Sequence, residues 1–199
     1  GSWKTDSSDV KDGQYSFSGK IGEPVLARLR VKYKPDEKGV KIAITGTRDI
    51  APVFIQHGKI KVAAVDSFSN IRVKGSAAHR EYLALVEQEK PFNEKTKPLI
   101  EKYREYAKAK DLANQNKMEE AIEAIDKEKN EKVYGEFVKA HPESPLAVYA
   151  LKQFAGYAID ADKTEPLYNS LSAKNKSYPS AVSFQQELEI AKTTGIGRI

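Results

Sequence analysis

Ile71-Arg72-Val73-Lys74-Gly75-Ser76-Ala77-Ala78-His79-Arg80-Glu81-Tyr82 contains the change of pattern on which the fold turns. Ile71 and Val73 close a series in which apolar residues recur at every second position, the period of a half-buried strand. Beyond Ser76 they recur at every third or fourth position, the period of a helix. Ser76 is a good N-cap, because its hydroxyl can accept from an amide one turn later that has no partner within the helix. The spacing therefore predicts a β domain at 1–75 and a helical region at 76–199. The expected fold class is α+β: a mainly antiparallel sheet, meander or sandwich-like, followed by an all-helical region of antiparallel hairpins.

Short strands can be read back from Gly75. Asp12-Gly13 is a two-residue turn signal, since both residue types tolerate positive φ, and it predicts a strand at 7–11 before Tyr15, Phe17 and Ile21. At 25–33 the odd positions are apolar, and the even ones include Arg28, Arg30 and Lys32. Pro35-Asp36-Glu37-Lys38-Gly39 has turn chemistry, after which Val40, Ile42 and Ile44 resume the two-residue period. His57-Gly58 separates strands at 53–56 and 59–62 with the spacing of a second tight hairpin.

Forward from Ser76, a helix is expected at 77–89, ended by Pro91. Thr96-Lys97-Pro98 restarts the pattern, with Leu99, Tyr103, Tyr106 and Ala107 on one stripe. The pattern breaks around Asn114-Gln115-Asn116, then resumes with Met118, Ile122, Ile125, Val133 and Phe137. The charged run 126–132 within it reads as wet helix surface. The two long helices should form an antiparallel hairpin. Ser144-Pro145 repeats the start signal, and Leu146, Ala150, Phe154 and Ala158 follow on one face widened by Leu151 and Tyr157. A short helix at 164–171 precedes a last one opened by Ser180, running through Phe184, Leu188 and Ala191 and ended by Gly195 and Gly197. Paired short helices are also a feature of tetratricopeptide-type repeats, but no steady period of about 34 residues is present.

The chain has 199 residues, 40% hydrophobic and 31% charged, enough for one sizeable core or two small ones. With no cysteine it holds no disulfide, thiol nucleophile or thiolate metal site of its own. The net charge of +5 is unevenly placed: residues 1–75 carry 14 Lys/Arg against 8 Asp/Glu, and residues 76–199 carry 19 against 20. Arg28, Arg30, Lys32, Lys59 and Lys61 are therefore the candidate interaction face. They form either the solvated side of a half-buried sheet or a patch for an acidic partner or an anionic membrane surface. Nucleic acid is not an expected partner, because no aromatic residue interleaves with these cations as a stacking platform would require.

Other chemistry is sparse. His57, His79 and His141 lie far apart and have local explanations in a turn, a first helical turn and a loop before Pro142, so no metal is expected. Glu119, Glu120 and Glu123 read as the solvated side of a helix. Gly195-Ile196-Gly197 lacks the third glycine of a nucleotide fingerprint. Tyr15, Tyr33, Tyr103, Tyr106, Tyr149 and Tyr157 fall on expected apolar faces, where a packed ring with a wet hydroxyl is the default. No catalytic, cofactor or metal residue is assigned, and the chain is not expected to be an enzyme.

Several segments carry a family resemblance. Val10-Lys11-Asp12-Gly13-Gln14-Tyr15-Ser16-Phe17-Ser18-Gly19-Lys20-Ile21-Gly22-Glu23-Pro24 resembles the opening signature of the N-terminal domain of unknown function of Bacteroidetes TlpA/ResA-like thiol-disulfide oxidoreductases. Val53-Phe54-Ile55-Gln56-His57-Gly58-Lys59-Ile60 resembles the family's hairpin, and Val73-Lys74-Gly75-Ser76 the step before its first helix. Phe137-Val138-Lys139-Ala140-His141-Pro142-Glu143-Ser144 and Leu167-Tyr168-Asn169-Ser170-Leu171 are similar to two later helical steps. The sequence departs from the pattern in lacking the usual opening strand before Trp3 and in carrying His79 where Asn is frequent.

The resemblance implies that the residues up to Ile199 lead into a thioredoxin-like domain carrying Cys-x-x-Cys, and that no family catalytic residue falls on this chain. The function it implies is a non-catalytic accessory module in the periplasm or cell envelope, without a cofactor. Such a module would position that C-terminal domain in cis, bind a protein substrate, or self-associate, with membrane-surface proximity. Gly1-Ser2 reads as a cloning remnant, so the lack of a signal peptide says nothing of compartment. The competing expectation is a free-standing peptide-binding module built from the helical hairpins, supported by the Ala- and Tyr-rich stretch 144–178.

Overall fold

The computed structural model describes residues 4–46 and 48–194. Antiparallel strands come first and helices follow, giving an α+β fold. Strands β1 (Val25–Arg30) and β2 (Ile50–Ile55) pair with Val25 opposite Ile55 and Arg30 opposite Ile50. Residues directly opposite share a face. Leu26 and Phe54 point to the helical core, while Val53 and Ala51, on the other face, are as buried as Phe54. β2 is therefore covered on both sides, which its near-continuous apolar run Ile-Ala-Pro-Val-Phe-Ile accommodates. This corrects the strict odd-in, even-out reading of 25–33, because Leu26 is one of the residues packed on the core.

A second sheet pairs β3 (Lys61–Ala64) with β4 (Ile71–Lys74), so β2 and β3 do not form the tight hairpin expected at His57-Gly58. Gly75 explains the change of partner. Its φ is +88°, and a Cβ there would stand 2.2 Å from the Lys59 carbonyl oxygen. The chain after Gly58 thus runs against the residue that follows β4, and this close approach aligns β3 with β4. Lys61 and Lys74 face each other across the ladder, a like-charge pair that both side chains relieve by remaining exposed.

Other expected strands are missing although their turns form. Asp12 and Gly13 have φ of 50° and 71°, and Lys11 and Gln14 exchange two backbone hydrogen bonds of 2.9 Å. The strands expected on either side reduce to this one bridge. Likewise 40–44 is not a strand, and Val40 and Ile42 are 59% and 47% exposed. Alternation supplies one apolar face, but a strand also needs a neighbour to satisfy its amides. Here local polar groups close the loop instead: Asp36 Oδ1 accepts from the amides of Lys38 at 2.9 Å and Val40 at 2.8 Å.

The loop returns to β2 through a buried carboxylate. Asp49 accepts from Arg48 Nε at 2.9 Å and Nη2 at 3.1 Å, from the Thr45 amide at 2.8 Å, and from the Tyr33 hydroxyl at 2.6 Å. The Arg48 guanidinium first, then the Thr45 amide and Tyr33 hydroxyl, hold this carboxyl well below the usual aspartate range, against the opposing effect of burial. A depressed folded-state pKa stabilises the fold fully above the unfolded value of about 3.9, and the contribution fades as pH falls toward the lower folded value. The melting-temperature gap between wild type and Asp49→Asn is therefore expected to be constant above about pH 5 and to shrink below about pH 4. A gap of zero at pH 7, or one unchanged down to pH 2, would contradict this.

In the helical half, α1 (Ala77–Ala109) runs unbroken through Pro91 and Pro98. Both prolines are exposed and lie seven residues apart, on the same solvent side of the helix, where water can take up the freed carbonyls. The expected stop at Pro91 is thus absent. α1 ends at Lys110 in the left-handed conformation, with amide bonds from Lys110 to Ala107 and from Asp111 to Tyr106. Asp111 then caps α2 (Leu112–Lys129) by accepting from the Asn114 amide and Nδ2. The break falls three residues before the expected Asn114, which sits in the first turn of α2. As expected, α1 and α2 pack together as a hairpin.

A π-helical stretch, Asn130–Gly135, continues into α3 (Glu136–Ala140). α4 (Ala147–Ala155) starts two residues beyond Pro145; Ser144 Oγ accepts from the Leu146 amide at 2.9 Å and donates to Glu81 on α1. Gly156, at φ 62°, ends α4 and leaves Ala158 and Tyr157 beyond it, so Tyr157 is fully exposed rather than packed. α5 (Ala161–Ser170), α6 (Ala173–Lys176) and α7 (Pro179–Thr194) complete the fold. The expected end of the last helix at Gly195 and Gly197 lies outside the described residues. Leu85, Val138, Leu146, Leu151, Phe184 and Leu188 form the core, to which Phe54 is joined. Glu23 ties the chain's early segment to α7 by accepting from the Ser180 amide at 3.1 Å and its hydroxyl at 2.5 Å.

Candidate functional site: a tyrosine-lined recess

Four helical elements line an open recess of about 380 Å³. Tyr82, Val86 and Glu89 come from α1, at a spacing that puts them on one helix face. Asp126 and Lys129 come from the last turns of α2, Asn130 and Tyr134 from the π-helical stretch, and Tyr149 and Gln153 from α4. A π-turn is rare, is found mostly as a local insertion within an α-helix, and is frequent at functional sites. Here it supplies two lining residues. Gly135, the last residue of that stretch, lies against the Phe154 ring, two carbons of which would be 3.0 and 3.1 Å from a Cβ.

Aromatic rings form the wall nearest the sheet. Tyr149 meets Phe54 edge-on at 5.3 Å and 81°, and meets Tyr82 at 6.1 Å and 76°. Such T-shaped pairs place the positive ring edge on the negative face. Tyr134 is 4% exposed and donates from its hydroxyl to Glu89 Oε1 at 2.5 Å. Burial first, then that hydrogen bond, push the Tyr134 phenol far above its ordinary value. Burial also pushes Tyr149 up to about 12, with smaller contributions from Tyr82 and Glu89. Tyr82 is raised by burial and by Glu89, against the opposing charge of Arg28. All three phenols stay neutral at physiological pH. Lys129 Nζ is paired with Asp126 at 2.6 Å.

The residues singled out in the sequence are scattered. Arg28 and Arg30 are exposed on one face of β1, with Lys32 just past its end, while Lys59 and Lys61 belong to the segment forming the other sheet. Arg28 lies near enough to Tyr82 to act on its hydroxyl. Glu119, Glu120 and Glu123 are exposed on α2. His57 and His141 are exposed. His79 is buried, its Nδ1 accepts from the Phe54 amide at 3.3 Å, and burial lowers its pKa, so it is a neutral structural side chain. Among the described residues no group of three or more His, Asp or Glu side chains is placed to hold a metal ion. Tyr82, Glu89 and Tyr134 went unnoticed in the sequence. The available signal was a carboxylate at Glu89 in register with Tyr82 and Val86.

The fold is that of a small α+β protein with a polar, tyrosine-lined hollow between its helices. Residues 2–82 match the family described as "Domain of unknown function (DUF4369)", a stretch that covers the β half, crosses Gly75-Ser76 and ends within α1. No curated protein and no solved structure matches the chain.

Proposed function

We propose that this chain is a non-catalytic accessory module of a thioredoxin-like thiol-disulfide oxidoreductase in the periplasm or cell envelope. It positions a C-terminal thioredoxin-like domain and contributes to partner or substrate binding or to dimerisation. The observation that carries this reading is the match of residues 2–82 to a domain of unknown function over the segments, from Val10 to Ser76, that resemble the N-terminal domain of such oxidoreductases. Thiol-disulfide exchange needs a thiolate of lowered pKa, which the cysteine-free chain would take from the domain it carries. The bond between Glu23 and Ser180 gives the module a firm base for such a domain, because it holds the start of α7 against the chain's early segment. Among the described residues no helix is long and apolar enough to cross a membrane, so proximity to a membrane surface would rest on the exposed cations of the β half.

The test joins a thioredoxin-like Cys-x-x-Cys domain after Ile199 and compares disulfide reduction with and without the module. The expected result is an unchanged rate on a small disulfide and a changed rate or range on protein disulfides. Equal rates and range on every substrate would overturn the binding role. The recess between α1, the π-helical stretch and α4 favours a second reading, a free-standing helical-hairpin module that binds peptides.

A further inference from the structure

We propose that the recess is a binding site for an organic cation of side-chain size, a guanidinium or an alkylammonium group. This goes beyond the accessory role and holds whether or not a redox domain is attached. At about 380 Å³ the recess lies at the small end of ligand sites, suited to a side chain or a small amine. Tyr82 and Tyr149 both line the recess, in edge-to-face contact at 6.1 Å and 76°. Ring faces attract cations through their quadrupole, and the attraction grows when the site is shielded from water.

The charges of the lining select the sign of the ligand. Lys129 is engaged by Asp126, which leaves Glu89 as the lining charge with no ion-pair partner among the described residues. Its Oε1 is held by the nearly buried Tyr134, so the carboxylate is fixed before any ligand arrives. Arg28 is not part of the lining, and at the Tyr82 hydroxyl its effect is smaller than that of Glu89. An anion would meet Glu89 without a spare cation to hold it. A neutral apolar ligand would strip water from Glu89 with nothing in return. A cation satisfies the carboxylate and sits within an aromatic lining.

The test uses the 199-residue chain in heteronuclear NMR titrations with three probes: n-propylguanidinium, the peptide acetyl-Gly-Arg-Gly-amide, and the same peptide with citrulline replacing arginine. Citrulline keeps the shape and removes the charge. Both cations are expected to shift resonances of Tyr82, Tyr149 and Gln153, with the citrulline peptide binding at least about 10-fold more weakly. Tighter binding of the arginine peptide than of propylguanidinium assigns the group to a polypeptide, and equal binding assigns it to a free amine; both support the site. Glu89→Gln keeps an acceptor for Tyr134 and is expected to lower affinity about 10-fold, while Glu119→Gln, on exposed α2 surface, leaves it unchanged. Equal affinity for arginine and citrulline peptides, or shifts confined to residues outside the recess, would overturn the proposal. That comparison on the wild-type chain decides the matter even if Glu89→Gln fails to fold.

Discussion

Gly75→Ala is expected to destabilise the protein by about 3 kcal/mol or more, read as a lowered midpoint in urea unfolding. Two costs add. A non-glycine residue held at φ +88° costs about 1–3 kcal/mol in backbone strain alone. The new methyl would also stand 2.2 Å from the Lys59 carbonyl oxygen and 3.3 Å from its carbon, and a backbone carbonyl cannot swing aside as a side chain can. Relief requires moving the 59–60 segment, which sets the start of β3, or the turn into α1, where Ser76 accepts from the His79 amide at 3.0 Å. Gly19→Ala is the control, since nothing lies within 4 Å of its Cβ position and its φ is not in the left-handed region. It should be neutral or slightly stabilising. A loss below about 0.5 kcal/mol for Gly75→Ala, no larger than an ordinary surface substitution, would show that the approach of Lys59 is not a constraint.

That glycine also shows where sequence reading stops. The strand-to-helix step at Gly75-Ser76, the Ser76 cap, the turn at Asp12-Gly13 and the α1–α2 hairpin were all legible, because each follows from neighbours in the chain. Strand partners were not. A two-residue period at 40–44 says which face is apolar but not whether a neighbour exists to take the amides, and here none forms a ladder with it. Pairing of β3 with β4 depends on a backbone contact between residues 59 and 75 that no local pattern reports. The prolines misled for a related reason: whether Pro91 ends a helix depends on whether water can reach the carbonyl it frees, which is a property of the fold.

The recess was harder still to read. Tyr149 stood out as an aromatic residue on an apolar face, but its companions arrive from α1 and from a π-helical stretch that periodicity reads as ordinary helix interrupted by charge. Asp126 and Lys129 lie in the run read as wet surface, and the wider π-turn that follows brings Asn130 and Tyr134 into the same lining. The basic face illustrates the reverse. Arg28, Arg30 and Lys32 share one strand direction, whereas Lys59 and Lys61 belong to the segment of the other sheet, a division that alternation along the chain does not report.

Phe54→Ala is expected to cost about 3–5 kcal/mol and to lower one unfolding transition seen identically by every probe. Phe54 is 1% exposed and belongs to β2, yet its ring packs on Tyr82 and Tyr149. Its backbone is equally committed to α1: the amide donates to His79 Nδ1, and the carbonyl accepts from Ser76 Oγ at 2.7 Å. A further bond runs from the Ala78 amide to Gln56 Oε1 at 2.9 Å. Truncation to alanine removes the ring from the core while leaving these backbone bonds in place, so the loss reports ring packing plus the cavity left behind. Because the ring's partners lie beyond Ser76, the helical signal at 222 nm and NMR peaks from β2 should disappear at the same denaturant concentration. A β half that melts early while the helices keep the wild-type midpoint would mean that residues 1–75 and 76–199 fold as separate units. The same variant removes a ring against which both Tyr82 and Tyr149 are set, so recess affinity for the arginine peptide should fall even under conditions where the chain remains folded.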